Sequence, residues 1–235
     1  MNPCPSSPAR RRVLLVDDHV LLRESVADAV NHSPDLIVCG QAATVDAGIQ
    51  RFDQAQPEIV VTDLSLPERN GFGLIEQLCQ RAPEVPVLVL SMHSESFHAP
   101  KAFRAGAAGY VMKGDSHRLL RGIRQVLAGG IYLSIRARNE ILRQLEAPRT
   151  NGSQPPFGGL MPMEKTVLGL YGRRLSLTAI AEVLEIESAE VAKLLAGLQR
   201  KLKLPNSIAL RHHAILWHET YGAVPVYPPP CDSIQ

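Results

Sequence analysis

The chain has 235 residues and a formal net charge of +2, with 45% hydrophobic and 20% charged residues. That length suits one or two domains with a real core, and the composition is that of a soluble globular protein. No apolar run reaches the roughly 20 residues of a membrane span, and so small a net charge excludes a bulk argument for nucleic acid, so any basic patch must be local.

Residues 1–11 are rich in proline and serine and read as a loose tail. Its arginines have no apolar segment behind them, so it is not a signal peptide. Cys4, Cys39, Cys79 and Cys231 have no CxxC spacing, which suggests neither a zinc site nor a disulfide framework and fits a reducing cytoplasm. Short apolar runs follow at residues 12–18, 36–42, 58–63, 85–92 and 109–112. Such continuous runs suit strands buried on both faces of a parallel sheet. Helix-length segments lie between them, at 20–33, 45–56, 72–82, 97–105 and 116–128. Gly129 and Gly130 stop the last. Five β–α units predict an α/β domain over 12–133, a five-stranded doubly wound parallel sheet. Residues 134–159 read as a linker with one short helix at 134–145, followed by "APRTNGSQPPFGG". Residues 160–221 predict a small all-α domain of four helices, at 162–171, 178–184, 188–203 and 207–218. Residues 222–235 read as a flexible or polyproline-like tail.

In an open parallel sheet, function sits beyond the carboxyl ends of the strands. Those ends carry Asp17 and Asp18, then Asp63, then Ser91, and lead into Lys113, three residues after Tyr110. Adjacent strands lie about 4.8 Å apart, so three carboxylates, a hydroxyl and an ammonium converge. Carboxylates this close cannot all stay ionised cheaply. A hard divalent cation with oxygen ligands and water, such as Mg²⁺, relieves the conflict. It would hold phosphoryl oxygens that Lys113 and Ser91 also contact, with Asp63 as nucleophile forming an acyl phosphate. Singly, these residues have plainer readings: a strand-end Asp as a turn residue or as a cap of the first helix, Lys113 as a solvated charge. The set of five is what points to a pocket. Carboxylates argue against an anionic flavin. A phosphatase would want an acid/base residue two positions after its nucleophile, where this chain has Ser65.

The stretches "VLLVDDH", "VVTDLSLPERNG", "VLVLSMH" and "GYVMKGD" resemble, in order, the receiver domain of two-component response regulators over about residues 12–130. The resemblance implies Asp63 as phospho-acceptor and Asp17, Asp18, Asp63 and the Ser65 backbone carbonyl as metal ligands. It implies Ser91 and Tyr110 as switch residues, Tyr110 turning inward on phosphorylation, and Lys113 as the catalytic lysine. It also implies a sensor histidine kinase as phosphodonor. No turnover enzyme is expected, only the receiver's own phosphoryl transfer and slow autodephosphorylation. His93, two residues past Ser91, has two readings, as a modulator of dephosphorylation and as a plain surface histidine. Phe97 and Phe103 either serve dimerisation or pack inward.

The segment from "LMPMEKTVLGLYGRR" to "LKLPNSIAL" resembles the helix-turn-helix domain of LuxR-type regulators. With the receiver it implies a response regulator of the NarL/FixJ class. Val167, Leu168, Ile180, Ala181, Val183, Leu184, Ile186, Val191, Leu195, Leu198 and Leu202 fall where that family is apolar. Ser176 and Ser188 are candidate caps of the second and third helices. The departures are specific. The family has a glutamate near Thr166, a glycine at Arg174 and an asparagine at Leu177. In the third helix it has lysine, threonine, valine and lysine, then histidine, where this chain has Ala189, Glu190, Val191, Ala192 and Leu194. By helical wheel, Val191, Leu195, Leu198 and Leu202 form the core stripe, with Leu194 at its side.

The opposite face carries Glu190, Lys193, Gly197, Arg200 and Lys201, with Lys203 at the end. Lys193 is placed to read a guanine edge, Arg200 and Lys201 to hold phosphates, and Glu190 either to accept from cytosine or to repel the backbone, with Lys203 a further DNA-binding candidate. Arg173, Arg174, Arg211, His212 and His213 would add phosphate contacts. Residues 160–221 hold eight Lys or Arg against six Asp or Glu, a thin margin for DNA. The same charges also fit an ordinary solvated face. The expected function is a cytoplasmic regulator that dimerises on phosphorylation and binds promoter DNA, with RNA polymerase or a heterologous regulator as a further partner and no membrane. The competing reading is a phosphorylation-gated interaction module whose helix-turn-helix no longer binds DNA specifically.

Overall fold

The computed structural model describes residues 10–67, 70–114, 116–146 and 159–221. Most of the N-terminal tail, the linker from 147 to 158 and the tail from 222 lie outside them, as do Cys4 and Cys231. The chain divides into two compact units, one of residues 1–102 and 107–132, the other of 103–106 and 133–235.

The first unit alternates β1 (Arg11–Val16), α1 (Val20–Asn31), β2 (Leu36–Ala42), α2 (Val45–Ala55), β3 (Ile59–Thr62), α3 (Gly71–Arg81), β4 (Val87–Ser91), α4 (Glu95–Ala105), β5 (Gly109–Met112) and α5 (Ser116–Leu127). All strands pair in parallel in the order β2-β1-β3-β4-β5. This is the doubly wound sheet that the alternation of apolar runs and helices predicts. Alternate residues Val13, Leu15, Ile59, Val61, Leu88, Leu90 and Val111 cluster with Val26, Ala27 and Val30 of α1 and Leu119, Ile123 and Val126 of α5. At about 25 cal/mol per Å² of apolar surface, such burial is the main force holding the sheet. On α2, a Cβ at Gly48 would stand 3.3 Å from both Val16 methyls, so glycine lets the helix close on β1.

The starts of α2 and α3 are set by short polar side chains. Thr44 Oγ1 accepts from Ala47 N, and Asn70 Oδ1 from Phe72 N. Asp17 and Asp18 do not cap α1: its N-cap is His19, which makes no side-chain cap bond. Gly129 takes φ +80° just past α5, as a stop requires.

The second unit holds α6 (Ile135–Glu146), α7 (Pro162–Gly172), α8 (Leu177–Leu184), α9 (Ser188–Leu202) and α10 (Ser207–Tyr221). Val191, Leu195, Leu198 and Leu202 are buried as one stripe of α9, and Leu194 is half-buried beside it. Val183 departs from its expected core place: it is 48% exposed, because the short α8 buries only Ile180, Ala181 and Leu184. Ser176 caps α8 by accepting from Ala179 N. Ser188 is not the cap of α9. The helix starts one residue earlier than such a cap would set, so Glu187 is the N-cap and Ser188 the first helical residue. Arg174 stands at φ +65°, a left-handed conformation that glycine reaches without strain, which accounts for the glycine of the resembling family there.

Candidate functional site

The carboxyl ends of β1, β3, β4 and β5 meet as the sequence predicts. Parallel register aligns Val16 with Thr62 and Ser91 with Met112, so Asp17 and Asp63 follow at one level and Lys113 comes one residue beyond the level of Ser91. Asp17, Asp63 and Ser91 are buried. Lys113 Nζ lies 2.7 Å from Asp17 Oδ2 and 2.7 Å from Asp63 Oδ2. Burial pushes the Asp63 carboxyl up, but the Lys113 bond and charge, with the backbone N–H groups of Ser65 and Leu64, outweigh it and hold the carboxyl below its ordinary value. Burial likewise pushes the Lys113 ammonium down, and bonds to Asp17 and Asp63 carry it above its ordinary value. Both groups are therefore charged at neutral pH, giving a buried carboxylate with its countercharge in place.

The loop after β3 frames this carboxylate. Leu64 N donates to Asp63 Oδ1 at 2.6 Å. A Cβ at Gly71, the first residue of α3, would stand 2.4 Å from the Asp63 carbonyl oxygen, so only glycine lets α3 start against this strand end. Ser65 Oγ and His93 Nε2 share a hydrogen bond of 2.7 Å, and the His93 ring stacks on His98. His93 is thus exposed but held by these two contacts.

Tyr110 is only 2% exposed and donates its hydroxyl to the His93 carbonyl at 2.9 Å. Burial pushes its phenol up to about 12. The ring that was expected to turn inward on phosphorylation is packed inward in this structure. Phe103 is buried, while Phe97 is exposed.

A divalent cation fits the pocket. Among the described residues, Asp17, Asp18, His19 and Asp63 each offer a donor atom within 4.8 Å of the others. Asp18 Oδ1 is buried without a hydrogen bond, the sort of orphaned oxygen that a cation satisfies. His19 was not among the site residues read from the sequence. Its only signal there was its place next to the acidic pair.

The predicted DNA face is partly rearranged. Glu190, Lys193, Arg200 and Lys203 are exposed. Lys201 is committed within its own unit: its Nζ lies 2.6 Å from Glu164 Oε1, while Glu164 Oε2 accepts from Met161 N and so caps α7. Burial pushes the Glu164 carboxyl up, but the Lys201 bond and the Met161 N–H hold it below its ordinary value. His212 and His213 are buried and offer nothing to phosphates. Burial brings the His213 imidazole down to about 4. Arg211 lies over the Tyr171 ring at 5.0 Å.

The family profile "Response regulator receiver domain" matches residues 13–124. The DNA-binding transcriptional activator DevR/DosR of Mycobacterium tuberculosis is 32% identical over 192 residues, covering 81% of this chain and 88% of that protein. The chain belongs to this response-regulator family. The nitrate/nitrite response regulator NarL of Escherichia coli is 27% identical, covering 83% of this chain and 91% of that protein. A LuxR-family response regulator from Aurantimonas sp. is similar in structure, with 34% identity and a TM-score of 0.54 over 57% of this chain and 97% of that one. RcsB of Salmonella typhimurium shares the fold, with 21% identity and a TM-score of 0.52, covering 87% of this chain and 97% of that chain. Among the described residues no helix is long and apolar enough to cross a membrane.

Proposed function

We propose that this response regulator accepts a phosphoryl group on Asp63 from a sensor histidine kinase and, so modified, dimerises and binds promoter DNA through its helix-turn-helix. In this reading residues 12–133 are the receiver, 134–159 the connection, which includes α6, and 160–221 the DNA-binding domain of a cytoplasmic protein. The observation that carries the proposal is the single ammonium of Lys113 held between Asp17 and Asp63. It keeps a buried carboxylate ionised for attack.

Asp63 attacks the phosphorus of the donor phosphohistidine. The P–N bond breaks, and the imidazole leaves. Lys113 then has phosphoryl oxygens within reach, and Ser91 supplies a hydroxyl donor. Asp17, Asp18, Asp63 and the Ser65 carbonyl would hold Mg²⁺, which neutralises phosphoryl charge when bound. The added charge of about −1.5 to −2 biases the loops around Ser91 and Tyr110 toward one of two arrangements. Likeness to a DNA-binding activator over four-fifths of the chain supports DNA as the output, against an interaction module that has lost it.

The test is phosphorylation by a small-molecule phosphodonor with Mg²⁺, comparing the native chain with Asp63→Asn. Labelling of the native protein, and its loss in the variant, is expected. A variant labelled at the native rate overturns the assignment. Genome-wide occupancy by the phosphorylated protein tests the output, and the absence of enriched sites favours the interaction module.

A further inference from the structure

The residue after the acidic pair is a histidine, and its ring faces the carboxylates. His19 Nδ1 lies 2.7 Å from Asp18 Oδ1 and 3.2 Å from Asp17 Oδ1. The ring does not cap α1, since His19 occupies its N-cap without a side-chain cap bond, and its Nδ1 shares the 3.2 Å contact with Asp17 Oδ1 as a hydrogen bond. Its backbone N–H donates to Asp17 Oδ1 at 2.9 Å, which fixes the residue over the pocket. The short approach to Asp18 Oδ1 lacks hydrogen-bond geometry, for that oxygen is buried and unpartnered. His19 Nδ1 thus meets Asp17 Oδ1 in a hydrogen bond and converges with Asp18 Oδ1 without one, so that three donor atoms crowd one spot, as ligands of one ion do. Lys113 does not compete for that spot: it holds Asp17 by Oδ2, and His19 stands at Oδ1.

We infer that His19 is a ligand of the cation in this pocket, and that its nitrogen gives the site a preference for a first-row transition ion such as Mn²⁺ over Mg²⁺. The inference rests on the reading of the acidic pocket as a divalent-cation site. Mg²⁺ takes oxygen ligands and gives up its water reluctantly. Imidazole suits the transition ions, and affinity rises along their series. Three carboxylates alone are a hard oxygen site. One imidazole added to them changes the class of ion favoured.

The experiment titrates the full-length protein and its His19→Gln variant separately with Mn²⁺ and Mg²⁺ by calorimetry. Pulsed electron paramagnetic resonance of the Mn²⁺-loaded proteins then reads nitrogen-14 coupling. The ring is largely exposed, and matching thermal melts establish that the variant is folded. The expected result is an imidazole nitrogen coupling in the native protein that is lost in the variant. Mn²⁺ binding weakens at least the roughly tenfold that loss of a mere outer-shell partner costs, with Mg²⁺ binding changed less than about twofold. Absence of nitrogen coupling in the native protein overturns the inference. So does an equal change for both ions, which would mean that His19 acts only through its charge on Asp17 and Asp18. A native protein that binds neither ion overturns the cation pocket itself, and this inference with it.

Discussion

The pocket of the first unit and the outer face of α9 hold their charges in opposite ways. In the pocket, Asp17, Asp63 and Lys113 are buried, and each is answered by another. On α9, Lys193 and Arg200 stand in solvent, and the one lysine with a firm partner, Lys201, is turned to Glu164. Charges in a low dielectric interact strongly, so changing one leaves the others uncompensated. Charges in water are screened and nearly independent. A buried constellation therefore dictates its own residue types, whereas an exposed face can be rewritten one position at a time. That difference accounts for a pocket that holds the residue types the receiver resemblance implies, beside an α9 face where the residues of the resembling LuxR-type family are largely replaced.

The largest effect that would break this comparison lies in the pocket. Lys113→Ala leaves two buried carboxylates without their cation, and is expected to lower stability at pH 7 by about 3–5 kcal/mol. Chemical denaturation of the first unit reads it. The sign follows from the lowered Asp63 carboxyl: its stabilisation is present above its ordinary value of 3.8 and is lost as pH falls through its lower folded value. The difference between native and variant should therefore shrink in acid. A variant as stable as the native chain at neutral pH would mean that the pocket charges are as independent as those on α9.

A middle-sized effect sharpens the other half. Lys193→Ala is expected to cost about 1–3 kcal/mol at one base position and to relax preference there. Lys201→Ala should instead remove an ion pair worth about 0.2–1 kcal/mol of fold stability. Its DNA salt dependence should hardly change. Binding isotherms over a salt series, with melting curves, separate the two. A large salt effect from Lys201 alone would reverse the assignment of these lysines.

The smallest effect concerns helix starts. Ser176→Ala is expected to cost about 1 kcal/mol through loss of the bond to Ala179 N. Ser188→Ala should cost close to nothing, since Ser188 is already inside α9 and alanine is the better helix former. Equal losses at both serines in thermal melts would restore Ser188 as a cap.

Strand runs and strand-end aspartates were legible because period and position carry them: each strand and helix lies within about three residues of its sequence reading. Contacts between residues distant in sequence were not legible. Glu164 with Lys201 and Ser65 with His93 depend on side-chain reach after folding, which no periodicity encodes. His212 and His213 read as cations by composition, yet α10 turns them inward. Val183 failed for the converse reason, since a helix of eight residues has too little inner face for every apolar side chain it carries. His19 was visible beside Asp18, but only the direction of its ring made it part of the site.

Gly71 turns the start of α3 into the short arm of a lever. With no side chain between its backbone and the carbonyl of Asp63, there is no cushion to absorb displacement at that strand end. Any larger residue at 71 would act as a wedge, prising strand and helix apart.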